Sequence, residues 1–277
     1  MSLKTLSWIL LAAVALGALL LFNYWASYQL LSTLVYAGIV TALFGVANLT
    51  FPFRFLGFRR RISGALCLAG GAGLTLAALY WPAPMFHVAQ PTTRLDSIMP
   101  EYQFFEKHST RIHARPGQVI QAVRQSTFGD MHALSTLLKV RGAALRVSSQ
   151  ENDAFARDKR VLDVFSASGY ALGGSDRELV MCGGANAREK RVLHPNTLEE
   201  CASDREPGAV KMAFNFNAED AGGGWSTVTT ETRVLVLDDS ARGLMSRYWR
   251  LIVPGSGMLR RQWLESIKRR AESEAYD

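Results

Sequence analysis

The sequence predicts an α+β protein in two parts: three N-terminal transmembrane helices over residues 1–81, then a water-soluble domain over residues 102–277, joined by a linker over residues 82–101. Three observations predict it. The first third holds three apolar runs, each of about 20 residues, enough to span a bilayer core as a helix. No Asp or Glu precedes Arg94, whereas from there on both charge signs are interspersed as in a soluble domain. Beyond residue 102 the apolar spacing switches repeatedly between the helical period and the strand period.

The three runs are Trp8–Ala26, Leu30–Phe51 and Ile62–Trp81, and none carries a charge. Backbone groups in hydrocarbon must pair internally, so such runs are helices. Trp8, Tyr24, Trp25, Phe51, Tyr80 and Trp81 stand near their ends, where amphipathic rings favour the headgroup layer. The first run is longer than a signal-peptide core and lacks a small-x-small cleavage site, so an uncleaved helix is expected. Ala65, Gly70, Gly71 and Gly73 would let helices approach closely.

Orientation follows from the loops. Arg54, Arg59, Arg60 and Arg61 crowd the second connection, while Ser27, Tyr28 and Gln29 in the first carry no charge. Positive loops stay cytoplasmic. The N-terminus with Lys4 is then inside and the soluble domain outside, which in a bacterium means a three-pass inner-membrane protein with a periplasmic C-terminal domain. Of the net charge of +7, the first 93 residues supply +5, leaving 26 bases against 24 acids in the rest. The basic excess is therefore a matter of topology, and a nucleic-acid partner is not expected. No ionisable residue lies within a span, which argues against an ion or proton pathway.

In the soluble part, Gln103–His113 suits a strand, and Arg115-Pro116 opens a helix with proline in its first turn. A second helix is expected over Met131–Leu145, a short helical turn or strand at Val161–Ser166, and strands at Gly169–Leu172 and Glu178–Cys182. Val210, Met212, Phe214 and Phe216 alternate with Lys211, Ala213, Asn215 and Asn217, which predicts a strand with one buried face. The EDAGGG turn and the β-branched run Trp225–Leu237 complete a hairpin. Leu244, Met245, Tyr248, Trp249 and Ile252 form a helical stripe. The run Pro254-Gly255-Ser256-Gly257 is expected to interrupt that helix, before Met258, Leu259, Trp263, Leu264 and Ile267 resume it.

The strand motif TETRV at 230–234 and the stretch YWRLIVPGSGMLRR at 248–261, with this order of elements, resemble the START-like or polyketide cyclase superfamily (SRPBCC, helix-grip) over residues 102–272, in a bacterial membrane-anchored branch. The resemblance implies a curved antiparallel sheet gripping the terminal helix, with an apolar cavity between them. It implies binding of a lipid or another apolar small molecule. The alternatives are an enzyme of the polyketide cyclase type and a protein-binding scaffold of the membrane surface. Fold alone does not choose among them.

The candidate ligand-binding residues are His108, Phe214, Phe216, Trp225, Arg233, Tyr248 and Trp249. The aromatic ones, with Trp263, either fill the core or line a pocket. His108 shares a strand face with Glu106 and Thr110, as a polar anchor or as a hydrogen-bonded structural histidine. Arg233 and Glu231 share a face, as a solvated ion pair or as charge offered to a headgroup. Cys182 and Cys201 either form a disulfide, if the domain sits in an oxidising compartment, or are free thiols. The histidines show no ligand spacing and no CxxC occurs, so no metal or other cofactor is expected. No GxSxG or phosphate-binding glycine loop occurs outside the membrane.

Overall fold

The computed structural model describes residues 17, 18, 21, 29–51, 61–131 and 156–274. The first apolar run lies mostly outside them. So do Arg54, Arg59 and Arg60, and all but Met131 of the helix expected over Met131–Leu145. The described chain is α+β and divides into two units, residues 1–82 with Gly243–Ser256, and residues 83–242 with Gly257–Asp277.

In the first unit, α1 (Leu30–Thr50) and α2 (Arg61–Tyr80) are long and apolar enough to cross a membrane. Only 28% of the hydrophobic window of α1 and 17% of that of α2 is buried, whereas the core helix of a soluble protein would be mostly covered. They pack through glycines two helical turns apart. A Cβ on Gly38 would come within 2.8 Å of the Gly71 carbonyl oxygen, and one on Gly45 within 2.7 Å of that of Gly64. The expectation that Gly70 and Gly73 serve this contact is corrected, because both face open space. They lie off the line of Gly64 and Gly71, whose spacing of seven returns to the same side of a helix.

The second unit holds a six-stranded antiparallel sheet, with β3 (Phe104–Ile112), β8 (Trp225–Val236), β7 (Ala209–Gly222), β5 (Glu178–Asn186) and β4 (Ala171–Gly174) in that spatial order, and β6 (Arg191–Leu193) also paired to β5. A separate ladder joins β1 (Phe86–His87) to β2 (Glu101–Tyr102). The β7–β8 hairpin turns through Gly222, Gly223 and Gly224, all at positive φ (78°, 61° and 80°), which is why three glycines stand there.

One sheet face packs on α4 (Pro116–Gln125), α5 (Val161–Ala167) and the end of α7 (Asp239–Glu274), burying Val119, Leu162, Met181, Phe214, Phe216, Trp263 and Ile267 in one core. The other face is covered by α3 (Arg94–Ile98) and α6 (Leu198–Ser203), in a second core of Leu95, Val180, Cys182, Leu198, Cys201 and Ala213.

That second cover overturns three expectations. Residues 82–101 are not a surface linker: Thr93 and Asp96 form a capping box that starts α3, and Leu95, Ile98 and Met99 are buried. β7 does not have one wet face, since Lys211, Ala213 and Asn215 are buried with Phe214 and Phe216. Glu231 and Arg233 are buried as well and do not form a solvated pair. A further correction concerns α7, which runs unbroken through Pro254. Proline there removes one backbone hydrogen bond, a cost of about 3 kcal/mol. Burial of Trp249 and Val253 before it, and of Trp263, Leu264 and Ile267 after it, offsets that loss. The boundary between the units nevertheless falls at Ser256/Gly257, just past the proline.

Candidate functional site

Period-2 alternation and the β3–β8–β7 register build a polar row across the face turned to α7. Glu106 stands opposite Thr232, and Thr232 opposite Phe214. His108 stands opposite Thr230, and Thr230 opposite Phe216. Glu106 and His108, two apart on β3, are both buried and share a 2.7 Å hydrogen bond between Oε1 and Nε2.

Arg260 arrives from α7. Counted along that helix, residues 260, 263, 264, 267 and 271 share one side, so this arginine belongs to the same stripe as Trp263, Leu264, Ile267 and Ala271. Its guanidinium lies 4.4 Å from the Phe214 ring centre and 5.4 Å from that of Trp263, as a cation over two π faces. Phe165 makes edge contacts with Tyr170 and Phe214, and Phe216 with Trp263, completing an aromatic wall.

The electrostatics are those of a dry cation. Burial pushes the Arg260 guanidinium down to about 10, while Glu106 and Tyr170 hold it against a further fall. Burial pushes the Tyr170 phenol up to about 12, opposed by Arg260. At neutral pH the wall therefore presents one positive guanidinium and one neutral phenol. Arg260 as a whole is half-buried, yet its Nη1 is out of contact with solvent and has no hydrogen-bond partner among the described residues. The same holds for Thr232 Oγ1, on the strand position opposite Glu106. A buried donor without an acceptor costs about 1–3 kcal/mol, and more when charged, so such atoms mark where an acceptor from outside the chain would gain most.

The structure separates the residues singled out from sequence. His108, Phe214 and Phe216 share this face. Arg233 and Trp225 lie on the opposite one: Arg233 donates to Asp96 Oδ1 (2.7 Å), Glu231 Oε1 (2.6 Å) and the Met99 carbonyl (3.0 Å), and Trp225 stacks on His113 at the hairpin end. Tyr248 and Trp249 belong to the first unit, where Trp249 Nε1 donates to Gln29 Oε1 at 3.1 Å. Cys182 and Cys201 are bonded, tying β5 to α6 with a Cα–Cα separation of 6.1 Å. Arg260 meets the wall without having been among the residues singled out from sequence, although its place in the apolar stripe was the available signal.

The opposite face carries polar groups that are satisfied. Lys211 Nζ donates to the Ala202 and Asp204 carbonyls (3.1 and 2.9 Å) at the end of α6, where the helix dipole favours a cation. Glu178 accepts from the Arg94 and Leu95 N–H groups and from Asn215. A surface depression of about 270 Å³ on the far part of α7 is lined by Asp130, Ser266, Arg269, Arg270 and Ser273, and is polar and open. Among the described residues no three His, Cys, Asp or Glu side chains gather as a metal site. No protein-family model, curated protein or solved structure matches the chain.

Proposed function

We propose that the protein is a three-pass, bilayer-anchored START-like domain that binds an apolar small molecule or lipid between its sheet and terminal helix, with the molecule's polar, acceptor-bearing end held by Arg260 and Thr232. One observation carries this reading: Arg260 Nη1, a charged donor away from water and without a partner among the described residues, set in an aromatic wall. The wall would take the apolar body of the ligand, and the guanidinium would take a carboxylate, phosphate or carbonyl oxygen. The Cys182–Cys201 bond supports an oxidising compartment such as the periplasm, in keeping with the arginine loop held in the cytosol.

The test is mass spectrometry of lipid extracts from the full chain purified in non-ionic detergent. The wild type should retain a defined amphiphile, and Arg260→Leu should lose it while melting as a folded protein. Equal retention by both, or an empty wild type, refutes the reading. The buried Glu106–His108 pair favours a second reading, an enzyme in which the carboxylate orients the imidazole for proton transfer. Under that reading His108→Gln would leave ligand retention intact while the captured molecule ceased to be converted.

A further inference from the structure

Within the first unit, residues 243–252 of α7 present an unusual surface. The positions exposed there are Gly243, Leu244, Tyr248 and Leu251, with the last three 65%, 52% and 43% exposed. Leu244, Tyr248 and Leu251 are spaced four and three apart, so they form one narrow stripe on one side of the helix. A helix bathed in water would carry charge on that side. The opposite side is buried and holds Ser246, Trp249, Arg250 and Val253.

That buried side is tied to the ends of the two apolar helices. Arg250 donates to the carbonyls of Ala78 (2.7 Å), Leu79 (2.6 Å) and Trp81 (2.6 Å), the unpaired acceptors at the end of α2. The Tyr36 hydroxyl donates to the Leu251 carbonyl at 2.6 Å. Tyr36 lies six residues into α1, so its Cα stands about 9 Å inside the helix end at 1.5 Å per residue, and its side chain leans back toward that end. Trp249 reaches Gln29, the residue capping α1. The stripe is thus held at the level where α1 and α2 end. Exposed Tyr80 and Trp81 stand at the same level, and the Arg247 guanidinium lies 5.0 Å from the Tyr80 ring centre. Apolar side chains on one side, with arginines and interfacial aromatics beside them, are the chemistry of a helix lying in a membrane surface.

We infer that residues 243–252 form an interfacial helix whose Leu244–Tyr248–Leu251 stripe inserts into the headgroup–acyl boundary of the bilayer crossed by α1 and α2. The inference rests on the reading of those two helices as membrane spans. It assigns this surface to lipid rather than to a partner protein, because the same contacts that cover its back fix its depth. Arg247, with no acid between residues 240 and 252, suits an anionic headgroup layer.

The test uses the full chain with Cys67→Ser, the Cys182–Cys201 disulfide retained, and one added cysteine at a time: Leu244→Cys, Tyr248→Cys or Leu251→Cys. Leu43→Cys serves as a control for the spans and Glu265→Cys as a control on an exposed charged position. Each is labelled with a small fluorophore and reconstituted in vesicles of phosphatidylcholine and phosphatidylglycerol carrying a nitroxide either near the headgroup or near the chain end. The three stripe positions should be quenched about twofold by the shallow nitroxide and less by the deep one, as a helix in the interface requires. Leu43→Cys should respond to the deep one and Glu265→Cys to neither. If Leu43→Cys responds while the stripe behaves like Glu265→Cys, the inference falls and the spans stand. If Leu43→Cys fails to respond, the membrane reading falls and takes the inference with it. Shielding of the stripe without lipid quenching, with cross-linking between chains at these cysteines, would assign the surface to a second copy and overturn the proposal.

Discussion

Replacing Arg233 by Met should destabilise the second unit without touching the candidate ligand site, which lies on the other face of the sheet. The Arg233 side chain is 6% exposed, and those of its partners Asp96 and Glu231 are 8% and 10% exposed. Its guanidinium makes three hydrogen bonds, two to carboxylates, and lies 4.6 Å from the Tyr102 ring centre. Removing one partner from a buried ion pair costs about 3–5 kcal/mol. The lower end applies here, because Asp96 keeps the Thr92 and Thr93 N–H groups at 2.9 Å and Glu231 keeps Lys107 at 3.5 Å. A loss of about 3 kcal/mol lowers the melting temperature of a domain this size by about 6–12 °C. The assay is thermal unfolding of the full chain in non-ionic detergent, followed by near-UV circular dichroism.

The pH dependence sharpens this prediction. Burial pushes the Asp96 carboxyl up, but the Thr92 N–H, Arg233 and Thr93 outweigh it and hold it well below the ordinary carboxylate range. Its stabilising contribution is therefore complete above the unfolded value near pH 4 and fades as pH falls through the lower folded value. The gap between wild type and Arg233→Met should be constant near neutrality and shrink on acidification below about pH 4. Adding Asp96→Asn to Arg233→Met should cost less than the sum of the single changes. A melting temperature unchanged by Arg233→Met, or a gap that widens in acid, would refute the pairing.

Two further outcomes follow. Cys182→Ser with Cys201→Ser opens a closed loop of sequence separation 19 and should lower stability by up to about 3 kcal/mol, read by the same melting curve with and without reductant. Gly71→Leu should disrupt the α1–α2 pair by about 1–3 kcal/mol of overpacking against the Gly38 carbonyl and Ala42, while Gly70→Leu, which meets nothing within 4 Å, should leave it intact. Gel filtration and melting of the two variants in detergent separate these results.

Much of the architecture is legible along the chain. The hairpin of β7 and β8, the strand β3, and the proline-opened α4 sit where local periodicity and turn residues place them. Two apolar helices long enough to cross a membrane stand out from composition, because length and the absence of charge are properties of each segment alone. The candidate site was only half readable. His108, Phe214 and Phe216 carry a period-2 signal, but Arg260 reads as one more cation in a basic stretch unless the helix is continued through Pro254.

What the order of residues settled without any fold is the kind of element where the period is strong, as in β3, α4, β7 and β8, since that depends on neighbours within a few positions. Which charges end up dry required partners from afar. Arg233 meets Asp96 across 137 residues, and Trp263 donates to Ser126 across the same separation. Lys211, Asn215 and Glu231 are buried because α3 and α6 cover a face that alternation alone would leave to water. That covering comes from the summed contacts of distant segments, and no window of adjacent residues contains it.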